Sequence, residues 1–279
     1  MEVISIKKVL KFLKIKNTSK IKDFNFVKFS PINHLSSNSI SFQDDKASKV
    51  KINSSVKHVI VFATYNKHFK KNVFFIKVKN PRFIFYKSHQ FIEKFKLKVK
   101  DINNFGIEKN VYIGKNVKFQ DKKKVFIGAN SHISNCTIGK NCRISSNVVI
   151  GNNGFGYFMY KNKTYEQPHF GKVIIENNVN IGPQTNIERG HFKNTILRKD
   201  SKIDALVQIG HNCEIGIKSK VCAGSILSGN VKVGKNVWIG PKVSFKEKIK
   251  IGDNTFIGIG SNVLKDVKKN SIIFGNPAK

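Results

Sequence analysis

The sequence is short of arginine, acidic residues, proline, methionine and tryptophan. Arginine supplies only four of its 51 basic residues (Arg82, Arg143, Arg189 and Arg198), against 17 acidic residues, for a formal net charge of +34. Such a charge ordinarily points to nucleic acid or an anionic membrane. The shortage of arginine argues the other way. Specific phosphate and base recognition favours the bidentate guanidinium fork, and the lysines here are scattered along the chain rather than gathered in a stripe. A compositional bias toward Lys, Asn, Ile and Phe accounts for the excess, so no nucleic-acid partner is expected. An anionic substrate would still benefit from the field.

Long hydrophobic runs are also missing. The best apolar patch, Val59 to Ala63, falls far short of the roughly 18 residues needed to span a bilayer. Lysines interrupt the apolar residues of the N-terminus, which therefore lacks a signal-peptide core. The expectation is a soluble cytoplasmic protein with no stable membrane insertion. Cys136, Cys142, Cys213 and Cys222 form no C-x-x-C pair, which leaves zinc and redox motifs unsupported and free thiols expected. There is no P-loop, no GxSxG elbow and no HExxH.

What is present is a repeat. Steps of six from Leu197 give Ile203, Ile209, Ile215, Val221, Leu227, Val233, Ile239, Phe245, Ile251, Ile257 and Val263, all apolar. With 40% apolar residues, twelve in register arise by chance about 2 times in 100,000. The period recurs at Ile175, Ile181 and Ile187, at Ile138, Ile144 and Ile150, and at Ile107, Ile113 and Phe119. Glycine often follows the aliphatic residue, as in Ile215-Gly216 and Ile239-Gly240. Six residues fit a short strand plus a corner. Three units close a triangular coil of about 18 residues, stacked at the strand spacing of about 4.8 Å. The aliphatic residue points inward, and Gly and Asn at corners tolerate positive φ.

The period breaks twice, between Ile150 and Ile175 and between Ile187 and Leu197. Loops thrown from a rigid coil are where function tends to sit. Residues 1–100 lack the hexad. They read as a small α/β domain with a helix over 4–15, strands at 38–43, 56–63 and 73–78, and a helix over 82–96. Phe83, Tyr86, Phe91 and Phe95 are the expected apolar face of that second helix. The coil is expected over 101–266, with a short tail over 267–279.

Residues 187–212, IERGHFKNTILRKDSKIDALVQIGHN, carry the specific signal. This segment resembles the UDP-3-O-acylglucosamine N-acyltransferases of lipid A biosynthesis, a branch of the hexapeptide-repeat acyltransferases. The matching elements are Ile187-Glu188-Arg189-Gly190, where that family carries I-D-R-G, and Ile203-Asp204 through Gln208-Ile209-Gly210-His211-Asn212. The GFGY element at 154–157 and the loop closure at 167–174 match as well. Ile40-Ser41-Phe42 and Asn80-Pro81-Arg82 with Phe85 resemble that family's nucleotide-sugar domain.

The resemblance implies a mainly β protein: a left-handed parallel β-helix with a small N-terminal α/β domain. It also implies a homotrimer with sites in the clefts between prisms. The donor is an acyl thioester on acyl carrier protein or coenzyme A, with no permanently bound cofactor and no metal; the acceptor is a UDP-linked amino sugar. His211 is the expected general base, since imidazole titrates in the right range to take an amine proton. His169 and His191, in the two inserted loops, are its rivals. Eighteen residues on lies Gly229, whose backbone N–H would hold the thioester oxyanion. Asp204 would orient the sugar or the base, Gln208 and Asn212 would bind substrate, and Phe42 would stack on uracil.

The chain departs from the pattern in three places. The second stacking aromatic after Phe42 is missing, Lys248 stands where many members carry a second histidine, and the ending GNPAK looks like the tails of acetyl-coenzyme A-dependent sugar acetyltransferases. An acetyltransferase for surface-glycan amino sugars is thus the same-class alternative, and a non-catalytic basic scaffold or nucleic-acid-binding protein the different-class one. A carbonic anhydrase of this fold needs histidines at coil spacing, where counting 18 either way from His211 gives Lys193 and Gly229.

Overall fold

A computed structural model describes residues 4–16, 19, 21–32, 35–43, 52–53, 55–65, 67–69, 73–97 and 105–279. The chain divides into two units, 1–103 and 104–279.

The first unit owes its sheet to the apolar run Val59–Ala63, whose five residues are all buried. A strand buried on both faces reads as a continuous apolar run rather than an alternation. Its neighbours are Ser39–Phe42 and Val73–Lys77, both parallel to it, with Lys28–Phe29 and Lys67–Phe69 at the edges. Ile60 and Phe62 pack in one cluster with helix α1 (Ile6–Phe12) and helix α2 (Pro81–Leu97). Val59, Val61 and Ala63 pack on the other side with Val56, Val73 and Phe75. The helix expected over 4–15 is shorter, because Ile4–Ser5 pairs with Asn25–Phe26 instead.

Helix α2 starts at Pro81, and the Asn80 side chain accepts the Phe83 N–H at 3.0 Å, an N-cap in the preferred form. Its buried face differs from the expected one. Phe83 and Tyr86 are about half exposed, while Ile84, Phe85, Ser88, Phe91 and Ile92 pack inward. The aromatic spacing alone favoured the wrong stripe. Phe85 meets Phe29 and Phe42, and Phe91 stacks on Phe12, which rotates the helix toward those rings. The side chain of Phe95 lies outside the described residues.

The second unit is a β-solenoid: three parallel sheets of seven, nine and eight strands wound around one prism. Every hexad residue from Leu197 to Val263 is buried, as are Ile138, Ile144, Ile150, Ile175, Ile181 and Ile187. Ile107, Ile113 and Phe119 remain partly exposed in the first turn. A second inward position lies two residues earlier and takes valine, serine, threonine or cysteine at most coils. Ser219 and Ser225 there bond coil carbonyls at 2.7 and 3.0 Å. Cys136, Cys142 and Cys213 hold the same place, and burial pushes the thiols of Cys136 and Cys213 up to about 12. They are inert core residues.

The corners bear out the expectation for asparagine and, at Gly224 and Gly260, for glycine. Positive φ falls three residues after the inward one, and asparagine takes most of those places, as at Asn130, Asn141, Asn178, Asn230 and Asn254; Gln184, Asp200, Leu206 and three lysines take others. The glycines that follow the aliphatic residue serve close approach instead. A Cβ on Gly216 would fall 2.0 Å from the Gly234 carbonyl oxygen of the next coil. The coil also runs past 266, because Ile272–Ile273 pairs with Phe256–Ile257.

Candidate active site

The two breaks in the period meet. The first contains a hairpin, Tyr157–Tyr160 with Lys163–Glu166. Its returning strand docks on the second loop, where Phe170 and Gly171 N–H donate to the His191 carbonyl at 2.7 and 2.9 Å. Glycine is required at this junction: a Cβ on Gly171 or on Gly190 would fall 2.0 or 1.7 Å from the Lys193 carbonyl oxygen. Arg189 Nε donates to the Gly171 carbonyl at 2.7 Å and ties the loops together again.

His211 lies beside this junction, at the corner after Ile209. Asn212 fixes its ring. The Asn212 side-chain oxygen accepts the His191 backbone N–H at 3.0 Å, and its amide donates to the Lys193 carbonyl at 3.1 Å. That pair of bonds assigns the oxygen and the nitrogen, so Oδ1, 3.0 Å from His211 Nδ1, is an acceptor. The neutral ring therefore carries its proton on Nδ1 and keeps a lone pair on Nε2. A Cβ on Gly229 would sit 2.5 Å from His211 Nε2, so the reactive nitrogen faces the bare Cα of Gly229.

Glu188 holds the corner from the coil beneath. Its Oε2 accepts the His211 backbone N–H at 3.0 Å and its Oε1 accepts Gln208 Nε2 at 2.8 Å, while Gln208 Oε1 accepts from Asn186 at 2.9 Å. Burial raises the Glu188 carboxyl above its ordinary value, partly offset by the His211 N–H and Gln208. Gly154 of the GFGY element lies across these groups; a Cβ there would meet Glu188 Oε2 at 2.5 Å and His211 Cδ2 at 3.0 Å.

His169 is 8% exposed and its ring centroid is 5.9 Å from that of His211. Both of its nitrogens are occupied, Nδ1 on the Gln167 carbonyl at 3.0 Å and Nε2 on the Gly154 N–H at 3.2 Å. Burial lowers its imidazole below the ordinary value of 6.5, with His191, His211 and Arg189 nearby adding to the shift against the opposing Gln167 bond. Among the described residues no cluster of three or more His, Cys, Asp or Glu is arranged to hold a metal ion.

The structure thus brings His211, Asn212, Gln208 and Gly229 to one corner. Asp204 is at the next corner of the same coil, where its oxygens accept the Ala205 and Ala223 N–H groups at 2.8 and 3.2 Å. It contacts no atom of His211 among the described residues. Phe42 belongs to the other unit, where its half-buried ring packs on Phe85 at 4.8 Å with the Arg82 guanidinium 5.8 Å from its centroid. Most of the run after it, where a second aromatic was expected, lies outside the described residues. Lys248 turns its N–H to the Gly229 carbonyl at 3.0 Å and its ammonium to Glu247 at 3.2 Å.

Counting 18 residues back from His211 to Lys193 also misplaces its neighbour. The second loop lengthens that coil, so Ile209 pairs with Ile187 and Arg189 lies beneath His211. Sequence reasoning gave Glu188, Gly154 and Thr195 no role. The I-E-R-G and GFGY elements were the signal for the first two. Thr195, whose hydroxyl accepts the Asn212 N–H at 2.9 Å, left none.

The Bacterial transferase hexapeptide (six repeats) model matches residues 122–152 and 230–268. Among curated proteins, the UDP-3-O-acylglucosamine N-acyltransferase of Campylobacter lari is 41% identical over 130 residues, covering 46% of this chain and 41% of that protein. That of Methylococcus capsulatus is 36% identical over 145 residues, covering 52% and 41%. The probable UDP-3-O-acylglucosamine N-acyltransferase 2, mitochondrial, of Arabidopsis thaliana is 35% identical over 150 residues, covering 53% and 49%. The match thus spans less than half the length of each of these relatives. Among solved structures, LpxA of Acinetobacter baumannii aligns with a TM-score of 0.50 at 22% identity, over 62% of this chain and 72% of that one. The UDP-N-acetylglucosamine acyltransferase of Bacteroides fragilis aligns with a TM-score of 0.50 at 19% identity, over 64% and 73%. These two show the fold. Two stretches of the coil thus match the bacterial transferase hexapeptide repeat, and about half of the chain is similar to the UDP-3-O-acylglucosamine N-acyltransferases.

Proposed function

We propose that the protein is an N-acyltransferase that moves an acyl group from a thioester to the amine of a UDP-linked 3-O-acylglucosamine, in lipid A biosynthesis. The observation that carries this reading is the His211 corner, with Nδ1 held by Asn212 and Nε2 set against Gly229. His211 Nε2 takes the proton as the acceptor amine adds to the thioester carbonyl carbon and a C–N bond forms. Negative charge gathers on the carbonyl oxygen, where the Gly229 N–H donates to it. The C–S bond then breaks, the electron pair leaves with sulfur, and His211 returns the proton to the thiolate. Gln208 and Asn212 line the corner that receives the acceptor.

The partners follow from this reading: acyl carrier protein or acyl-coenzyme A as donor, and two further copies of the chain, which complete the cleft in a homotrimer. Among the described residues no helix is long and apolar enough to cross a membrane. The four arginines have local partners rather than forming a recognition stripe. Arg198 pairs with Glu176 and Glu214 at 2.9 and 2.6 Å, Arg143 lies 4.5 Å from the Phe126 ring centroid, and Arg189 and Arg82 are placed as described.

The test supplies UDP-3-O-acylglucosamine with acyl carrier protein thioesters and coenzyme A thioesters of several chain lengths. Thiol release and product mass are then read. The expected result is one acyl mass added to the amine. Turnover with no donor, or acylation of other sugars only, would sink the reading.

A further inference from the structure

At four corners of the solenoid an acidic residue stands in the place that glycine takes at many others, and the His211 corner has one of each on successive coils. Four acidic residues directly follow an inward aliphatic residue, and each caps a backbone N–H one coil on. Glu108 accepts from Ala129 at 2.7 Å, Glu176 from Lys199 at 2.8 Å, Glu188 from His211 at 3.0 Å and Asp204 from Ala223 at 3.2 Å. The register explains the pattern. Ile107 pairs with Ile127, Ile175 with Leu197, Ile187 with Ile209 and Ile203 with Val221, so the same step separates each acid from its amide.

One step further along the His211 corner, Ile209 pairs with Leu227. The amide in question is now Gly229, and the residue in the capping place is Gly210, which has no side chain. A Cβ on Gly210 would fall 2.9 Å from Gly229 N. Among the described residues no acceptor lies in hydrogen-bond range of the Gly229 N–H. Within two successive steps of one corner, a carboxylate occupies the first amide and a bare glycine leaves the second one open, beside His211 Nε2.

We propose that Gly210 is a positioning residue for acyl transfer. By withholding the carboxylate that stands in this place at four other corners, including the one on the coil directly beneath, it leaves the Gly229 N–H free for the thioester oxygen. A carboxylate there would occupy the donor and oppose the negative charge that gathers in the transition state. The proposal rests on the acyl-transfer reading, and it concerns a residue that touches neither substrate nor proton.

The test is Gly210→Asp in the full chain, which reproduces the Asp204 arrangement without altering Gly229 or His211. Gly240→Asp is the steric control. A Cβ on Gly210 meets atoms of the next coil at 2.8, 2.9 and 2.9 Å, and one on Gly240 meets its next coil at 2.8, 2.9 and 2.9 Å. Two readouts are needed. Amide hydrogen exchange at Gly229 is expected to be fast in the wild type and slowed toward that of Ala223 in Gly210→Asp. The turnover number of Gly210→Asp is expected to fall about 10²-fold with KM little changed, as for the loss of one oxyanion donor. Gly240→Asp keeps its turnover, and Gly210→Ala, which adds the Cβ without the acceptor, loses far less than Gly210→Asp.

A Gly229 amide as protected in the wild type as Ala223 would overturn the proposal. So would a Gly210→Asp protein that caps the amide yet keeps its turnover number, or equal losses in Gly210→Ala and Gly210→Asp. A wild type with a fast-exchanging Gly229 amide and no acyl transfer at all would instead overturn the reading of the reaction.

Discussion

From Leu197 to Val263 the coil keeps strict six-residue register, and its inward side chains are aliphatic or aromatic and buried. From Ile150 to Leu197 the register is interrupted twice, and the interruptions hold a different population. Phe155, Tyr157, Met159, Phe170 and Phe192 are more than half exposed, while His169 is buried with both nitrogens bonded. The coil thus carries stability through apolar burial. The loops use close glycine contacts and hydrogen bonds to fix one imidazole at the coil surface. Damage to the two regions should therefore separate cleanly.

The largest effect is expected at the seam between them. His211→Ala should lower the turnover number by about 10²–10⁴, the usual cost of a lost general base, and leave the melting temperature nearly unchanged. Steady-state kinetics together with calorimetry check this; a large drop in Tm would place His211 in the packed core instead. The reverse pattern is expected deep in the coil. Ile239→Ala removes a fully buried side chain and should cost about 2–5 kcal/mol of stability, measured by denaturant unfolding. Its turnover per folded molecule should hold, because Ile239 lies on another sheet from His211.

The smallest effect is a pH dependence of the loops alone. Burial holds the His169 imidazole below its ordinary 6.5, so the unfolded loop binds a proton more readily than the folded one. Stability then rises with pH in that window. It is complete above about pH 6.5 and is lost as the pH falls below that value toward the lowered folded pKa. Trypsin cleavage at the hairpin tip, Lys161 and Lys163, should quicken between about pH 7.5 and about pH 5.5. His169→Gln should flatten that response, and an unchanged response would remove His169 from the account.

The prism was legible because each inward residue is set by its own hexad, and a six-residue period needs no knowledge of neighbours. The step from His211 to Gly229 was legible for the same reason, since no insertion intervenes. The step down was not. Glu188 and His211 are 23 residues apart in sequence because a loop lengthens that coil, and only the pairing of Ile187 with Ile209 reveals the contact. Asp204 stands one corner away from His211, which its motif position does not reveal. Glycine at positive φ, as at Gly224 and Gly260, serves a local property, whereas its use at Gly216 and Gly210 depends on the coil above. The face of α2 was misjudged because aromatic spacing cannot say where Phe12, Phe29 and Phe42 will stand.

The most direct test of the central claim, that His211 Nε2 is the base, is the pH dependence of kcat/KM in four proteins: wild type, His211→Ala, His169→Ala and His191→Ala. The wild type should gain rate with rising pH along a single limb and then level off. That limb should disappear in His211→Ala and survive in both loop variants. A limb that persists without His211, or one that vanishes with His169 or His191 instead, would contradict the assignment.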